Sequence, residues 1–296
     1  MERNIKHSQN FLHNSNLVNS LVNNSSISHN DLVIEIGPGK GIITKALLTK
    51  KCKVIAIELD KKLADRLIEQ FIGESNIVIE NADFMTSELP SKEYKVFANI
   101  PFNMTAEIVQ KLINPNGFAN DVYLIMQYEA FLKYAGSPYQ IETLRSLLYK
   151  PFFSTSIEYT FEPSDFYPIP KASIVLARFR RREQYDIDIS EFDVYSDFIN
   201  YIYSAPGSNL KEKTRTIFTY EQLKRLQKSC GVMIRTTLST ITYSQWIEMY
   251  HCFRKYVSPQ KQSVINGMTI NMERIRNNLQ KEHKHRSNDM KGNNHG

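Results

Sequence analysis

The sequence predicts an α/β protein, with a mainly parallel, seven-stranded sheet flanked by helices and a small all-helical region after it. Three observations carry this expectation. From Asp31 to about Met126, short β-rich apolar runs alternate with longer amphipathic stretches, the pattern of parallel strands joined by crossover helices. A glycine-rich turn, Gly37-Pro38-Gly39-Lys40-Gly41, sits directly between the first run and the first helix. After Arg182 the apolar density changes and the remaining periodicity is helical.

Taken in order, strands are expected at Leu32–Ile36, Val54–Ile57, Ile77–Ile79, Lys95–Ala98 and Val122–Met126, with helices near Gly41–Lys50, Lys61–Gln70 and Thr105–Ile113 between them. Two further β segments, Ser156–Phe161 and Ser173–Phe179, flank the bend Phe166-Tyr167-Pro168-Ile169-Pro170-Lys171 and are expected to pair as an antiparallel hairpin closing the sheet edge. An acidic, polar run from Glu183 to Glu191 reads as a linker, followed by helices at Val194–Tyr203, Tyr220–Cys230 and Tyr243–Tyr256. Residues 257–296 are rich in Asn, Lys and His with little periodicity, and a disordered basic tail is expected there. Its histidines, His283, His285 and His295, read as solvated residues in preference to metal ligands. The expected organisation is therefore a catalytic domain over 1–182, a helical RNA-binding domain over 183–256 and the tail over 257–296, with no internal repeat.

The chain has 296 residues, 42% of them hydrophobic, enough for one large domain and a small one. A formal net charge of +6 and a pI near 9.0 favour a polyanionic partner. Arg178, Arg180, Arg181 and Arg182 cluster in one segment, Lys211, Lys213 and Arg215 in another. With Lys6, the arginines are candidates for phosphate contacts, the alternative being a solvated strand end. Three cysteines without C-x-x-C spacing suggest neither a disulfide framework nor a metal site, and point to a reducing compartment. Met1 to Asn10 is polar, and no stretch approaches the ~18 apolar residues of a membrane span, so a cytoplasmic protein is expected.

Candidate site residues lie where the strands end. Asn99-Ile100-Pro101-Phe102 closes the apolar run Tyr94 to Ala98 with an amide, a rigid proline and an aromatic ring, a set suited to a planar nitrogen base. Aromatic stacking on a base is worth roughly 1–3 kcal/mol. The Asn99 side-chain oxygen can accept from an exocyclic amino group, and Pro101 fixes φ so that the Ile100 carbonyl can face outward. The same residues also make an ordinary strand followed by an Asn-x-Pro turn.

The glycine turn lets the backbone approach a ligand, but Ile42 breaks the G-x-G-x-x-G spacing of a dinucleotide site. Glu35, in the strand before the turn, suits a cationic or amino group better than pyrophosphate. Glu58 ends the second strand and Asp83 follows the third. Each acid alone also reads as a surface residue or helix cap. Ligands of open α/β sheets lie beyond the carboxyl ends of the strands, so Gly37, Glu58, Asp83 and Asn99 are expected to share one crevice.

Together these residues resemble the rRNA adenine N6-methyltransferases, and specifically the Erm branch, which methylates an adenine of 23S rRNA and confers macrolide, lincosamide and streptogramin B resistance. The resemblance spans Asn4 to about Tyr256. It rests on Lys6-His7-Ser8-Gln9-Asn10-Phe11-Leu12, the Glu-x-Gly-x-Gly-x-Gly turn, Glu58, Asp83, Asn99-Ile100-Pro101-Phe102 and Phe166-x-Pro168-x-Pro170-Lys171. It implies a Rossmann-like domain binding S-adenosylmethionine. Asn10 and Leu12 would border the cofactor, Gly37 and Gly39 approach its methionine part and ribose, Glu58 bind the ribose hydroxyls, Asp83 the adenine amino group, and Asn99 lie against the cofactor as well. Asn99, Ile100, Pro101 and Phe102 would hold a single flipped-out adenine for methylation.

Two positions depart from the family pattern. Lys133 stands where an arginine is usual, and Pro170-Lys171-Ala172 replaces Pro-Lys-Val. A monomer without metal or membrane attachment is expected. The competing expectations are a small-subunit rRNA dimethyladenosine transferase, in which Asn-Leu-Pro-Tyr is usual, and a catalytically silent nucleic-acid-binding factor on the same fold. A DNA adenine methyltransferase would carry two consecutive prolines in the motif, absent here.

Overall fold

The structure, a computed structural model, describes residues 11–275. These fall into two compact units, one comprising residues up to 140 with 149–185, the other 141–148 with residues from 186 on.

Among the described residues the first unit has the strands β1 (Phe11–Leu12), β2 (Leu32–Ile36), β3 (Lys53–Glu58), β4 (Ile77–Asn81), β5 (Tyr94–Asn99), β6 (Ala119–Gln127), β7 (Phe153–Thr160), β8 (Phe166–Tyr167) and β9 (Ile174–Arg181). Seven form one sheet in the order β4-β3-β2-β5-β6-β9-β7, and β1 pairs with β8 as a separate two-stranded ribbon. The first five in that order run parallel, while β9 is antiparallel to both β6 and β7. The mainly parallel sheet and its antiparallel closing hairpin are those the alternation predicts. Helices cover both faces of a parallel sheet, so its central strands must be apolar along their length. Consecutive residues of β5 and β6 show it: Val96, Phe97 and Ala98 in one, Val122, Tyr123 and Leu124 in the other, are all buried. At the edge, β4 alternates and leaves Val78 exposed.

The crossover helices α2 (Ile42–Thr49), α3 (Lys61–Gln70) and α4 (Thr105–Leu112) fall where the amphipathic stretches place them. Asp60 caps α3, its carboxylate accepting from the N–H groups of Lys62 at 2.8 Å and Leu63 at 3.3 Å. The sequence pattern does not announce α1 (Ser15–Asn24), whose short polar-rich sequence hides three inward residues, Val18, Leu21 and Val22. Nor does it announce α5 (Tyr128–Ala135) or α6 (Leu144–Tyr149).

The second unit packs α7 (Phe192–Ser204), α8 (Leu210–Lys213), α9 (Tyr220–Cys230), α10 (Tyr243–Tyr256) and α11 (Pro259–Gln262). Thr219 with Gln222 and Thr242 with Gln245 close reciprocal capping boxes on α9 and α10, so both helices start where hydroxyl and amide stand three residues apart. Its core is aromatic: the Phe198 ring meets Tyr250 at 5.5 Å and Phe253 at 5.0 Å, and Trp246 is fully buried. Residues 141–148 join this unit through Tyr195, whose buried hydroxyl donates to the Leu147 carbonyl at 2.8 Å.

The segment expected as a tail is structured in its first part. After α11 comes a 3-10 turn, Ser263–Ile265, and helix follows over 268–275. Ile265 is fully buried, and the Asp197 carboxylate accepts from the N–H groups of Gly267 and Thr269, both at 2.7 Å. One buried side chain and one acid 70 residues away leave no periodic trace. The remaining expectations there, including His283, His285 and His295, lie outside the described residues. Among those described, no helix is long and apolar enough to cross a membrane.

Candidate active site

The glycine turn leaves β2 toward its neighbour, with the Gly37 N–H donating to the Ile57 carbonyl at 2.9 Å. Gly37, Gly39 and Gly41 take φ values of +63°, +57° and +79°, a region that side chains disfavour. The reasons for glycine differ along the turn. A Cβ at Gly41 would stand 2.9 Å from the Leu67 side chain, so packing of the α2 start against α3 requires its absence. Nothing lies within 4 Å of a Cβ built on Gly37, so the space over that backbone is open to a ligand.

Glu58, the last residue of β3, is 3% exposed. Its Oε2 accepts from the Gly39 N–H at 3.0 Å and its Oε1 from the Asp60 N–H at 2.9 Å, which locks the carboxylate to the glycine turn. The Asn81 side-chain amide donates to the Glu58 carbonyl at 2.9 Å and the Leu59 carbonyl at 3.1 Å, fixing the same strand end from β4.

Glu35 is placed differently from the sequence expectation of an acid facing a charged ligand. It is buried, and its Oε2 accepts from the Thr44 hydroxyl of α2 at 2.7 Å. Burial pushes its carboxyl up to about 8, with the Glu58 charge adding to the rise and the Thr44 hydrogen bond opposing it. Oε1 is buried with no hydrogen-bond partner among the described residues.

Asp83 opens the loop after β4, its Oδ1 accepting from the Met85 N–H at 2.8 Å. That loop is pinned from α4: the Lys111 ammonium donates to the carbonyls of Phe84 and Ser87, both at 2.6 Å, and of Met85 at 3.1 Å. Its Nζ also stands 4.8 Å from the Phe84 ring centre. Burial lowers the Lys111 ammonium, against the attraction of Asp83.

Asn99 ends β5 opposite Ile125, and the Ile100 N–H extends the ladder one step by donating to the Ile125 carbonyl at 3.3 Å. Pro101, at φ −65°, then turns the chain into a 3-10 turn, Phe102–Met104, held by the Met104 N–H on the Pro101 carbonyl at 3.0 Å. The Thr105 hydroxyl donates to the Phe102 carbonyl at 3.1 Å. Ile100 is buried, Phe102 half-buried against the core.

Gly37, Glu58, Asp83 and Asn99 thus stand at or just beyond the carboxyl ends of four adjacent parallel strands, β2, β3, β4 and β5. Asn10 lies outside the described residues. Leu12 is 6% exposed and packs in the core. The β1–β8 ribbon, pairing Phe11 with Tyr167 and Leu12 with Phe166, sets the proline bend beside the glycine turn. A Cβ on Gly39 would lie 3.2 Å from the Phe11 ring, and the Lys40 ammonium sits 5.6 Å from its centre. A cavity of about 710 Å³ opens there, with Tyr167 and Ile169 exposed on its wall. Asn81, Lys111 and Thr44 carry no signal in the sequence, because their partners are assigned by the fold.

Two of the arginines expected to meet phosphate are engaged within the protein. Arg178 donates to Asp121 Oδ1 at 2.9 Å and Oδ2 at 2.6 Å. Arg181 donates to the carbonyls of Asn114, Pro115, Gly117 and Ala119. Both are consumed because β9 lies inside the sheet, between β6 and β7, where a guanidinium must find acceptors. Arg180 is exposed, 3.7 Å from Glu183.

These residues fit S-adenosylmethionine. The buried, oriented Glu58 carboxylate suits vicinal hydroxyls, Asp83 an amino group, and the open space over Gly37 the chain of the methionine part. Among the described residues no cluster of three or more His, Cys, Asp or Glu could hold a metal ion.

Comparison with known proteins gives the family and the fold. The family model for "Ribosomal RNA adenine dimethylase" matches residues 1–255. An rRNA adenine N-6-methyltransferase of Bacillus anthracis is 29% identical over 255 residues, covering 86% of this chain and 88% of the relative. Ribosomal RNA small subunit methyltransferase A of Mycoplasmopsis pulmonis is 29% identical over 217 residues, covering 73% of this chain and 84% of that one. Among solved structures, 23S rRNA methyltransferase ErmE superposes with a TM-score of 0.75 at 22% identity, over 83% of this chain and 100% of its own. A dimethyladenosine transferase from Plasmodium falciparum superposes with a TM-score of 0.68 at 18% identity, over 83% and 98%.

Proposed function

The chain belongs to the ribosomal RNA adenine dimethylase family, and on that premise we propose that it methylates N6 of a specific adenine in 23S rRNA, giving resistance to macrolide, lincosamide and streptogramin B antibiotics. It is an S-adenosylmethionine-dependent rRNA adenine N6-methyltransferase. The finer assignment, to 23S rRNA, rests on one observation: β5 ends in Asn99-Ile100-Pro101-Phe102, whose Ile and Phe are those of the resistance branch.

S-adenosylmethionine supplies a sulfonium-bound methyl group, an electrophile that needs no further activation. Glu58, Asp83, Gly37 and Gly39 would hold it, and Asn10, Leu12 and Asn99 would border it. The amino nitrogen of adenine is a poor nucleophile, because its lone pair is shared with the ring. Asn99 Oδ1 and the Ile100 carbonyl would accept its two hydrogens, draw the amine toward tetrahedral geometry and so withdraw the lone pair from conjugation with the ring. Pro101 stiffens the turn that aims the carbonyl, and Phe102 stacks on the base. Acceleration then comes from positioning: as N6 takes the methyl the donor's C–S bond breaks and a neutral thioether leaves, and the methylated nitrogen, now strongly acidic, gives its proton to water, so no strong base is required. The adenine reaches this site flipped out of its stack. The enzyme acts as a cytoplasmic monomer, the helical unit supplying part of the RNA contact.

A second reading, methylation of small-subunit rRNA, is favoured by the Mycoplasmopsis pulmonis relative, as similar in identity as the Bacillus anthracis one. Asn99→Ala with Phe102→Ala removes two groups that position the base. The double variant is expected to lower methyl incorporation into 23S rRNA by roughly a hundredfold or more, with S-adenosylmethionine affinity changed severalfold at most. Full methylation by the double variant sinks the site assignment. Mass spectrometry of rRNA from a sensitive host carrying the gene, alongside its erythromycin susceptibility, separates the two targets: a methylated 16S rRNA in a susceptible host overturns the 23S reading.

A further inference from the structure

A pocket of about 570 Å³ in the helical unit, lined by none of the strand-end residues, gathers cations with an aromatic ring. Its wall includes Lys211, Arg215, Tyr220 and Arg235, over a floor of buried Phe218 and Leu223. The juxtaposition is built by the backbone. The Leu210 N–H donates to the Thr236 carbonyl at 3.0 Å and the Lys211 N–H to the Ile234 carbonyl at 2.9 Å, which brings Arg235 beside Lys211. The Phe218 N–H on the Thr214 carbonyl at 2.8 Å folds the turn carrying Arg215 back over the floor.

The cations keep their charge available. Among the described residues no carboxylate lies within ion-pair distance of Lys211, Arg215 or Arg235. Lys211 is instead held by the Tyr220 ring, 5.0 Å from its centre, a contact that fixes an ammonium without neutralising it, while Lys224 meets the same ring at 4.6 Å and pairs with Glu221 at 3.7 Å. The one acid in the pocket wall, Glu212, is spent locally, accepting from the Ser208 N–H at 2.7 Å and the Asn209 amide at 2.8 Å. Those hydrogen bonds keep its carboxyl below the usual range, and the more distant Arg215 charge adds the least to that fall. Lys213, by contrast, turns inward and donates to the Ala205 carbonyl at 2.6 Å, so it takes no part. From 209 to 235 the chain carries Lys211, Lys213, Arg215, Lys224, Arg225, Lys228 and Arg235 against Glu212 and Glu221 only.

The geometry points to a phosphodiester-binding site, in which Lys211, Arg215 and Arg235 grip the sugar-phosphate backbone of the rRNA substrate at Tyr220. Planar guanidinium forks suit phosphate oxygens, and such contacts set register without reading sequence. The assignment deepens the reading of this chain as an rRNA methyltransferase and rests on it.

The test is binding of the rRNA transcript that the unaltered enzyme methylates, followed across salt concentrations. Lys211→Gln with Arg215→Gln and Arg235→Gln is expected to weaken binding roughly tenfold or more and to lower the log–log salt slope by about 2–3, since each phosphate left without its cation takes away ~0.7–1 of slope. S-adenosylmethionine affinity and the unfolding midpoint should not move. Lys228→Gln with Lys255→Gln and Arg274→Gln removes the same charge elsewhere on the unit and should change the slope little. Arg235→Gln alone, between α9 and α10, should act in the same direction and keeps the test decisive if the triple variant does not fold. Unchanged affinity and slope in the pocket variants, or an equal loss in the control triple, overturns the site. If the unaltered enzyme methylates no rRNA, it is the functional reading that fails.

Discussion

Glu35 is an acid that the fold holds neutral. Its carboxyl rises from an ordinary 4.5 to about 8 because burial strips it of water. Between those two pH values the unfolded chain has released a proton that the folded chain keeps. Stability therefore falls as pH rises through that window, by about 1.4 kcal/mol per pH unit, and levels off above it. Glu35→Gln keeps the acceptor for the Thr44 hydroxyl and removes the titration. The variant is expected to match the parent at the acid end of the window and to exceed it increasingly toward the alkaline end. Urea unfolding at intervals across the window measures this, and parallel stability curves would contradict it. That an acid precedes the glycine turn is visible in the sequence; that it lies beneath the start of α2, bonded to Thr44, is not.

At the scale of elements, β9 shows how register decides what a charged run does. Side chains of a strand alternate between faces, so Arg178 and Arg180 share one side and Arg181 takes the other. Arg178 stands opposite Tyr123 and Arg180 opposite Asp121, which puts the Asp121 carboxylate diagonally within reach of the Arg178 guanidinium. Asp121 also accepts from the Ser26 hydroxyl at 2.7 Å, so this one acid ties β6, β9 and the loop after α1 together. Asp121→Ala would strand a partly buried cation; a fully buried pair broken this way costs about 3–5 kcal/mol, and the partial exposure of Arg178 discounts the loss to about 2 kcal/mol. Urea denaturation of the variant checks the figure. Arg178→Gln should lower stability while leaving rRNA affinity unaltered, and a matching loss of affinity would restore Arg178 as a phosphate contact.

For the whole molecule, the site lies at strand ends of the first unit, so cofactor binding should stabilise that unit. A ligand at about a hundred times its Kd adds about 2.7 kcal/mol to the folded state. Thermal unfolding is expected to shift upward with S-adenosylmethionine concentration, and to shift much less in Glu58→Gln, whose amide turns an NH2 toward either Gly39 or Asp60 N–H. An equal shift in both proteins would remove Glu58 from the binding set. The second unit offers no such strand ends among the described residues; its charge, concentrated between 209 and 235, is what it brings to a polyanion.

Local patterning in the chain is enough to predict the sheet, its crossover helices, the three later helices and the positions of Gly37, Glu58, Asp83 and Asn99 at strand ends. Those features are local: a period of two or of about 3.6, a glycine where φ is positive, a proline where a strand must stop. Packing of the elements is what turns Arg178 and Arg181 onto acceptors within the protein, sets Lys111 to pin the Asp83 loop, buries Glu35, joins residues 141–148 to the helical unit and makes the chain beyond Val257 largely helical to 275. Each of these depends on partners that the sequence does not pair, as far apart as 24 residues for Lys111 and Ser87 and 70 for Asp197 and Gly267. No periodicity encodes such a pairing. It is settled when burial removes water and each polar group must take the nearest partner that the packed elements offer.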